Sequence, residues 1–479
     1  MRELAAHFRG MRLAYPEDEL VIVFDIDGTI VDTRHLVVHL LRSYDRLHGT
    51  EHFRGIGPSG IHSHETQIDA ILEPFALPAP IRAHVRTWYL EHLRDPDAMS
   101  AAHRPYEGVL GVIRWFQLQP RTHVALNTGR PESMRQVTIE ALNRLGAAHR
   151  VRFDPDLLFM EPSGDTAAVA DAKIRALQTL RRRGYRIVAV VDNEPEMLRA
   201  MSLADEEGEI LFLHADTIFL SRREPPPRTV SGSRYRLAEL VDGREIGHRV
   251  TFVWHGVNDR RNLRHFLASD IRWAELDVRL DPLGSLVLRH DPFGLGAGMP
   301  EDELLPLGEC LATLRAHGRA VKLDLKEDGP TLDAVLAEVA AHGYPDEELW
   351  FNGAVEALGA DGFRRIRREH PEAIVQAPAD FAVPLLLAAP ELAEQVLRTL
   401  AEWGIDRLSL DWRTPQVREA LDALERLGWP VNLYGVPDLE SFLEAALLLP
   451  ASVTADFNFP EWDYFGWGPR RALDVASVT

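Results

Sequence analysis

Two aspartates, one residue apart, follow the first strongly apolar run of the sequence. The run Leu20–Val23 leads into Phe24–Thr29, which reads FDIDGT. Side chains alternate along an extended strand, so Asp25 and Asp27 leave its end on the same side, and Gly28 allows a sharp turn. The segment offers a nucleophilic carboxylate, a second acid and oxygen ligands for a hard cation. This chemistry suits the transfer of phosphoryl groups.

Three later segments supply the other polar groups that phosphoryl transfer requires. Val124–Arg130 reads VALNTGR and predicts a strand that ends near the hydroxyl of Thr128. Lys173 opens a helical stretch rich in Ala, Leu and Arg. The apolar run Ile187–Val191 predicts another buried strand, and it ends at Asp192.

Together these segments resemble the motifs of the haloacid dehalogenase-like phosphohydrolases, over roughly the first 220 residues, or one domain. The resemblance implies that Asp25 attacks phosphorus and forms an aspartyl-phosphate. Asp27 would protonate the leaving oxygen and later activate water, a role that favours a raised carboxyl pKa. Thr128 and Lys173 would bind the transferring oxygens.

The same resemblance implies a magnesium ion, held by Asp25, the backbone carbonyl of Asp27, and Asp192. The dehalogenating and ion-pumping relatives lack an acid at position 27, so the sequence favours a phosphatase or a phosphomutase. The family often carries a second aspartate in its last motif, and here Glu196 is the nearest candidate.

A long insertion, residues 35 to 105, separates the first two motifs. The periodicity of His35–Leu47 and Ile81–Leu93 predicts helices, and we expect them to cap the site and select substrate. The glycine-rich middle of the insertion predicts a loop that enters the site. We interpret its His62 and His64 as loop or substrate-contact residues rather than metal ligands, because no carboxylate partner is evident nearby.

Composition limits the possible partners. A formal net charge of -20 argues against a long nucleic acid and leaves a small phosphorylated substrate or a short nucleic-acid end. The single cysteine, Cys310, excludes an internal disulfide framework and favours a cytoplasmic location. No apolar run approaches membrane-spanning length. The sequence leaves the oligomeric state open.

At 479 residues the chain is longer than one hydrophobic core usually supports. Three consecutive prolines, Pro225–Pro227, lie in a stretch that ends in Ser and Gly, which is typical of a linker. We therefore predict a phosphatase-like domain at 1–222, a linker at 223–240 and a second domain at 241–479.

The second half of the chain has a different pattern. From Val250 onward, short apolar runs alternate with helical stretches such as Leu332–Ala341 over roughly 230 residues, which predicts a (β/α)8 barrel of the TIM type. The fold class is thus α/β throughout, with a Rossmann-like domain followed by a barrel. Polar residues follow the predicted strands at His255, Glu275, Asp277, Asp324, Asn352, Asp411 and Asp456.

Three of these carboxylates could share a cation. Glu275 and Asp277 lie on one face of a strand, and Asp324 supplies a third oxygen ligand from a neighbouring strand. An all-oxygen set favours Mg²⁺ or Ca²⁺ over Zn²⁺. His255 and His290 flank this set and could provide a general base and a general acid without touching the metal.

The segments HGVN, ELDV, HDP and KLDLK, which begin at positions 255, 275, 290 and 322, resemble those of the glycerophosphodiester-phosphodiesterase-like barrels. The similarity spans positions 249 to 462 and is greatest to the menorin-like proteins and the sphingomyelinase D branch of spider toxins. It implies that His255 and His290 are the acid/base pair, that the three carboxylates bind the metal, and that Lys326 contacts phosphate.

One departure leaves the reaction of the barrel open. The phosphodiesterases proper carry a Glu-Asn pair after the first histidine, whereas Asn262 has no preceding Glu. In the toxin branch a hydroxyl of the substrate attacks and gives a cyclic phosphate. Both hydrolysis and cyclisation therefore remain as hypotheses.

The two halves together predict a bifunctional phosphoester hydrolase whose sites act in sequence. The barrel would open a diester to a monoester, and the N-terminal domain would remove the phosphate. Candidate substrates are glycerophosphodiesters and nucleoside or RNA-terminal cyclic phosphates. The alternative is a phosphatase whose barrel is a non-catalytic binding module for phosphorylated substrates.

Overall fold

The computed structural model describes residues 1–163, 165–217, 229–293 and 304–455. The chain divides into two compact units, residues 1–240 and 241–479. The predicted strand end Asp456 and residues 223–228 of the predicted linker lie outside the described residues.

The first unit combines six strands with nine helices in its described residues. The strands are β1 (Glu19–Phe24), β2 (Thr122–Pro131), β3 (Leu158–Glu161), β4 (Tyr185–Asp192), β5 (Leu211–Ala215) and β6 (Thr229–Gly232). The helices are α1 (Arg2–Ala14), α2 (Arg34–His48), α3 (Ile68–Leu72), α4 (Ala79–His92), α5 (Pro96–Ala102), α6 (Val109–Gln117), α7 (Arg135–Ala147), α8 (Val169–Arg182) and α9 (Pro195–Leu203).

The six strands form one parallel sheet in the order β3-β2-β1-β4-β5-β6. Central parallel strands are covered on both faces, which explains why β1 and β4 are continuous apolar runs. Val21, Val190, Leu180 and Leu198 belong to one buried core cluster between sheet and helices. This order places the carboxyl ends of β1, β2 and β4 side by side, where open α/β sheets bind ligands.

The segment between β1 and β2 is helical, as its periodicity predicts. It contains α2, α3, α4 and α5, followed by α6. Tyr44 of α2 connects the helices of this segment. Its hydroxyl lies 2.8 Å from Nδ1 of His84 on α4, and its ring packs against Trp88 and Phe53.

The described part of the predicted linker belongs to the first unit. Residues 229–232 form β6 and pair with β5. Tyr235 donates a hydrogen bond to the carbonyl oxygen of Thr29 at 2.9 Å, and Leu237 is fully buried. Residues 229–240 thus extend the sheet and pack into the core of the first unit, whereas the sequence predicts a linker at 223–240.

The second unit alternates strands and helices. Its strands are β7 (Thr251–Trp254), β8 (Trp273–Leu280), β9 (Leu286–Leu288), β10 (Ala320–Leu325), β11 (Leu349–Gly353), β12 (Ile374–Pro378), β13 (Arg407–Asp411), β14 (Val431–Val436) and β15 (Ser452–Ala455). Its described helices are α10 (Gly243–Gly247), α11 (Arg260–Leu267), α12 (Leu307–Ala316), α13 (Pro330–His342), α14 (Val355–Glu369), α15 (Val383–Ala388), α16 (Pro390–Glu402), α17 (Val417–Arg426) and α18 (Leu439–Leu447).

Eight parallel strands of this unit close into a ring in the order β7-β8-β10-β11-β12-β13-β14-β15, and β15 pairs back with β7. The remaining strand, β9, is antiparallel to β8. The prediction of a (β/α)8 barrel is therefore confirmed. Within the described ranges, no helix combines the length and apolar character that crossing a bilayer requires.

Alternation along the strands determines which side chains reach the inside of the barrel. Val253, Trp273, Ala320 and Trp350 form an apolar cluster, with Ile374 packed against it. Two residues further along each of these segments lie His255, Glu275, Lys322, Asn352 and Gln376. Inward-facing residues of a barrel stack in layers, so a polar layer lies above the apolar one.

Candidate active sites

The first candidate site lies where β1, β4 and α8 meet. Lys173 Nζ is 3.0 Å from Asp25 Oδ1 and 2.6 Å from Asp192 Oδ2, and all three residues are buried. Burial alone would lower the pKa of Lys173, but the two carboxylates raise it above its ordinary value. Burial raises the pKa of Asp25 to about 8, although Lys173 opposes the shift. The structure thus brings together three of the predicted site residues.

The oxygens at this point fit a hard cation. The side-chain amide of Asn193 lies 2.9 Å from the carbonyl oxygen of Asp27 and 3.1 Å from Asp25 Oδ2, and donates to both when its nitrogen faces them. Asp192 Oδ1 accepts the backbone N–H of Glu194 at 2.9 Å, which orients this carboxylate. Two carboxylates and a carbonyl are donors that Mg²⁺ prefers. Glu196, by contrast, is exposed in the first turn of α9.

The second acid of the motif is paired with an arginine. Arg130 Nε donates to Asp27 Oδ2 at 2.7 Å and Nη2 donates to Oδ1 at 2.6 Å. Burial raises the pKa of Asp27, but the charge and hydrogen bonds of Arg130 outweigh it, so this pKa lies below its ordinary value. The expectation of a raised pKa at Asp27 is therefore not met, because Arg130 pairs with this carboxylate through two hydrogen bonds. Thr128, also buried, accepts the backbone N–H of Arg130 at 3.2 Å.

The insertion contributes polar groups that the sequence analysis missed. Glu65 Oε2 accepts a hydrogen bond from Thr33 at 2.9 Å and lies 3.5 Å from His64 Nε2. His64 therefore has a carboxylate neighbour, contrary to the sequence interpretation. His103 is 1% exposed, and neither ring nitrogen has a hydrogen-bond partner among the described residues. Burial, followed by the charge of Arg130, lowers the pKa of His103 to about 4.

The charge of Asp27 acts on both Glu65 and His103, which places these two groups near the second acid. No spacing pattern in the insertion points to either residue. Only the fold of the insertion against β1 and β2 identifies them.

The second candidate site is a cavity of about 380 Å³ inside the barrel. Its wall includes His255, Glu275, His290, Asp324, Lys326 and Asn352 from the predicted set, together with Lys322, Gln376, Ser409, Arg413, Tyr434 and Thr454. The predicted strand-end residue Asp411 is instead held by two hydrogen bonds from the guanidinium of Arg413, at 2.9 and 2.6 Å.

Two lysines lie among the barrel carboxylates. Lys326 Nζ is 2.7 Å from Asp277 Oδ1 and also donates to Asp324. Lys322 Nζ is 3.3 Å from Glu275 Oε1. Burial raises the pKa of Asp277, but Lys326 reverses the shift and brings this pKa below its ordinary value. Burial also raises the pKa of Asp324. The charge of Lys326 opposes this shift but does not reverse it, so the pKa of Asp324 stays above its ordinary value.

The barrel carboxylates also have the donor chemistry of a hard-cation site. Glu275 is 5% exposed, and its Oε2 has no hydrogen-bond partner among the described residues. Asn258 orients Asp277, because its Nδ2 donates to Asp277 Oδ2 at 2.6 Å and its Oδ1 accepts the backbone N–H at 2.9 Å. A buried, unpartnered carboxylate oxygen fits a cation ligand. Nonetheless, nowhere in the described ranges are three His, Cys, Asp or Glu side chains arranged to hold a metal ion.

The predicted acid/base histidines both line the cavity. His290 Nδ1 lies 2.9 Å from Asp291 Oδ1, so a proton on Nδ1 leaves Nε2 as an acceptor. Asp291 belongs to the HDP segment, but its role as a partner of His290 is evident only in the structure.

Lys322 was also missed, although the sequence contains a signal for it. The whole chain has only three lysines, Lys173, Lys322 and Lys326. Each of them lies within 3.3 Å of a carboxylate in one of the two candidate sites. In a chain that otherwise uses arginine for positive charge, every lysine marks candidate chemistry.

A family model matches the part of the chain that contains the first candidate site. Residues 20–224 match the family model of the haloacid dehalogenase-like hydrolases. This range contains Asp25, Asp27, Thr128, Lys173 and Asp192. The prediction that the chain is a hydrolase is confirmed by this match. A comparison with curated proteins gave no match.

Several solved structures are similar to part of the chain, and each covers less than half of it. An Oleispira antarctica phosphodiesterase, solved with its product sn-glycerol-3-phosphate, is 17% identical, covers 44% of this chain and 96% of its own, and has a TM-score of 0.35. A glycerophosphodiester phosphodiesterase of Agrobacterium tumefaciens is 17% identical over 43% of this chain and 96% of its own, with a TM-score of 0.32.

A protein described as a haloacid dehalogenase-like hydrolase, from Burkholderia xenovorans, is 16% identical over 46% of this chain and 94% of its own, with a TM-score of 0.29. All three TM-scores lie below 0.5.

Proposed function

We propose that this chain is a bifunctional phosphoester hydrolase, in which a phosphomonoesterase is fused to a phosphodiesterase barrel. The observation that carries the first activity is the convergence of Asp25, Lys173 and Asp192 within 3.0 Å at the ends of β1 and β4. The observation that supports the second activity is a cavity in the barrel, lined by two histidines and two of the three predicted carboxylates. The substrate would be a small phosphorylated molecule or a short nucleic-acid end.

In the first unit, Asp25 would attack phosphorus while the bond to the leaving oxygen breaks, which gives an aspartyl-phosphate. Lys173 and Thr128 would bind the transferring oxygens. Mg²⁺ bound by Asp25, the Asp27 carbonyl and Asp192 would neutralise charge on the phosphoryl group.

Asp27 would protonate the leaving oxygen and then accept a proton from the attacking water. In the structure Arg130 stabilises the ionised form of Asp27. Phosphoryl oxygens bind a guanidinium with the same two-pronged geometry as a carboxylate. We therefore expect the substrate to draw Arg130 away from Asp27, which frees this carboxyl to take up a proton. Helices α2 to α5 would cap the site and select the alcohol part of the monoester.

In the barrel, His290 would act as the base, since Asp291 favours a proton on Nδ1 and leaves Nε2 as the acceptor. His255 would then give a proton to the leaving alkoxide. Lys326 would contact the phosphate. A divalent cation, Mg²⁺ or Ca²⁺, bound by Glu275, Asp277 and Asp324 would stabilise charge on the phosphoryl oxygens. Water as the nucleophile gives a monoester, whereas a hydroxyl of the substrate gives a cyclic phosphate.

A second candidate function for the barrel is a binding module without turnover. It is favoured by one observation: Lys326 and Lys322 already pair with all three carboxylates. Such an arrangement offsets two of the three negative charges without a metal and leaves a polar cavity that could hold a phosphorylated ligand. The single, buried Cys310 supports a cytoplasmic location under either function.

Paired assays on the full chain separate these possibilities. With Mg²⁺ present, Asp25→Asn should lower the cleavage of 4-nitrophenyl phosphate by about 1,000-fold or more and leave diester cleavage unchanged. His255→Ala should lower the cleavage of bis(4-nitrophenyl) phosphate by about 100-fold or more and leave monoester cleavage unchanged. Full monoesterase activity in Asp25→Asn would exclude the covalent mechanism. Diester cleavage at the wild-type rate in His255→Ala would favour the binding module.

A further inference from the structure

The wall of the barrel cavity differs in charge between two opposite sides. Both carboxylates of the wall, Glu275 and Asp324, lie on β8 and β10. In the closed ring of eight strands, β13 and β14 lie opposite these two. The opposite strands and the loops that follow them contribute Ser409, Arg413, Tyr434 and Gly435 to the wall. Among the described wall residues of this side, Arg413 carries the only formal charge.

Asp411 holds the guanidinium of Arg413 in a fixed orientation. Its Oδ1 accepts hydrogen bonds from the backbone N–H and from Nε of Arg413, at 2.8 and 2.9 Å, and its Oδ2 accepts from Nη2 at 2.6 Å. Arg413 lines the cavity and Asp411 does not, and the side chain of Arg413 is 69% exposed. The carboxylate therefore lies behind the guanidinium, and the guanidinium is accessible to a ligand in the cavity.

Two neighbouring residues keep this ion pair against the wall. Gly435 has a φ of 71°, and a Cβ at this position would lie 2.5 Å from Asp411 Oδ1 and 3.3 Å from Arg413 Nε. A residue without a side chain is therefore needed for the pair to pack on β14. Asp380 accepts hydrogen bonds from the hydroxyl of Tyr434 at 2.9 Å and from the backbone N–H of Asp411 at 2.8 Å. Asp380 thereby joins β14 to the end of β13, directly before the loop that carries Arg413.

A guanidinium that is held in this way suits an anion. Its N–H groups form a rigid, planar fork that matches the oxygens of a carboxylate or a phosphate. Because Asp411 already orders the side chain, less conformational entropy is lost when a ligand binds. The reacting phosphorus belongs on the other side of the cavity, beside the predicted metal ligands Glu275 and Asp324. An anion at Arg413 is thus a second anionic group, separate from the phosphodiester.

We propose that Arg413 is a specificity-determining residue that binds a second anionic group, a carboxylate or a phosphate, on the alcohol part of the diester. The barrel thereby selects phosphodiesters whose alcohol part ends in a negative charge over uncharged esters of the same length. This inference rests on the phosphodiesterase activity proposed above. Asp411 and Gly435 are positioning residues, since they act on the substrate only through Arg413.

Three substrates with the same leaving group test the proposal on the full chain with Mg²⁺. They are the 3-carboxypropyl, 3-phosphonopropyl and butyl esters of 4-nitrophenyl phosphate. The wild-type protein should prefer at least one anionic ester over the butyl ester by about 10-fold or more in kcat/KM, as expected for hydrogen bonds between charged groups. The better of the two anionic esters identifies the anion as a carboxylate or as a phosphate, for which the phosphonate is a stable substitute.

The preference, rather than the rate, distinguishes recognition from a structural role. Arg413→Met should reduce the preference to about threefold or less and leave cleavage of the butyl ester within about twofold of the wild type. Arg398→Met, which removes an exposed arginine paired with Glu394 on α16, is the matched control for charge and should keep the full preference.

A second pair of variants tests the position of the guanidinium without removing it. Gly435→Ala should lower the preference, because the added methyl group displaces the pair of Asp411 and Arg413. Gly428→Ala is the matched control: Gly428 also has a positive φ, of 83°, but no atom lies within 4 Å of the added Cβ. This variant should carry the same backbone strain and keep the preference.

Three results would overturn the proposal. Equal cleavage of all three esters by the wild-type protein would show that the barrel has no second anion site, while the phosphodiesterase activity would stand. An unchanged preference in Arg413→Met would mean that another group binds the anion, and equal losses on all three esters would assign Arg413 a structural role. Cleavage of none of the esters, with Mg²⁺ or Ca²⁺, would overturn the phosphodiesterase function itself and this inference with it.

Discussion

Arg130 holds Asp27 with two parallel hydrogen bonds, 2.7 and 2.6 Å long, between residues 103 positions apart in the sequence. Arg130 is 7% exposed, and its Nη1 also donates to Thr138 Oγ1 at 3.2 Å. The second acid of the FDIDGT segment is therefore stabilised as a carboxylate in the free protein.

Arg130→Ala should destabilise the first unit, because it leaves a largely enclosed carboxylate without its partner. We expect a loss of about 1–3 kcal/mol in the free energy of unfolding, with a fall in kcat/KM for 4-nitrophenyl phosphate. Arg130→Lys keeps the positive charge but cannot form two parallel hydrogen bonds. It should therefore retain only part of the wild-type stability and only part of the wild-type kcat/KM. Urea denaturation and steady-state kinetics measure the two effects.

The matched control is Arg135→Ala, which breaks a more exposed pair with Glu132 in the same unit. The free energy of unfolding of this variant should stay within about 0.5 kcal/mol of the wild-type value. Wild-type stability and kinetics in Arg130→Ala would show that the Asp27 pair contributes to neither.

Lys173→Met should have a larger effect on stability, since it leaves Asp25 and Asp192 as unpaired buried carboxylates. Breaking a buried ion pair from one side costs about 3–5 kcal/mol. Added Mg²⁺ should restore part of this loss, because a divalent cation supplies the missing positive charge. Thermal unfolding with and without Mg²⁺ measures both. No Mg²⁺-dependent recovery would argue against a cation site at Asp25 and Asp192.

Metal binding at the two sites can be followed separately, because the chain has only three lysines. Protein labelled with ¹³C at lysine Cε should give three signals, one from the first site and two from the barrel. Titration with Mg²⁺ should shift all three. Glu275→Gln removes a ligand of the barrel site and should abolish the Mg²⁺-induced shifts of Lys322 and Lys326 only. Asp192→Asn removes a ligand of the first site and should abolish the shift of Lys173 only.

Glu309→Gln, a partly exposed carboxylate on α12, is the control and should leave all three shifts in place. If calorimetry found a single divalent site per chain, and Asp192→Asn removed it, the metal site of the barrel would be disproved.

The thiol of Cys310 should be inert in the native protein. Cys310 is fully buried on α12, and burial, followed by the charge of Glu309, raises its pKa to about 12. The folded state therefore favours the neutral thiol. Its contribution to stability is complete below about pH 9, the range in which an unfolded thiol stays protonated, and is lost as the pH rises toward 12.

Labelling with a chromogenic disulfide reagent at pH 8 should therefore proceed only after denaturation in urea. Stoichiometric labelling of the native protein within minutes would contradict the buried position of Cys310. Because labelling requires that Cys310 become exposed, the same reagent reports the unfolding of the barrel.

The sequence predicted those site residues that follow from strand direction. Asp25, Thr128 and Asp192 lie at or near the ends of apolar runs, and parallel strands bring their carboxyl ends to one edge. The same alternation along KLDLK places Lys322, Asp324 and Lys326 on one side of β10. Periodicity was sufficient to predict the eight barrel strands, because each is a short segment of continuous or alternating apolar residues.

What the sequence could not predict depends on contacts between distant residues. Nothing in the VALNTGR segment shows that Arg130 reaches Asp27, since this requires the register of β1 against β2. Gln376 appears in the sequence as a polar residue in an apolar strand. Its hydrogen bond to Asn352 Oδ1, 2.6 Å long, becomes evident only from the structure. Glu65 and His103 reach the first site through the packing of the insertion, which no motif describes.

The order of the two reactions is the last prediction. If the barrel acts first, a glycerophosphodiester should release inorganic phosphate only when both sites are intact. His255→Ala should stop the reaction before cleavage, because the proton donor to the leaving alkoxide is missing. Asp25→Asn should instead accumulate the product of the barrel, because the downstream nucleophile is absent. Phosphorus NMR identifies that product: a linear monoester indicates attack by water, and a cyclic phosphate indicates attack by a substrate hydroxyl. Phosphate release from the diester by His255→Ala at the wild-type rate would refute the sequential scheme, since the first unit would then need no barrel reaction before it.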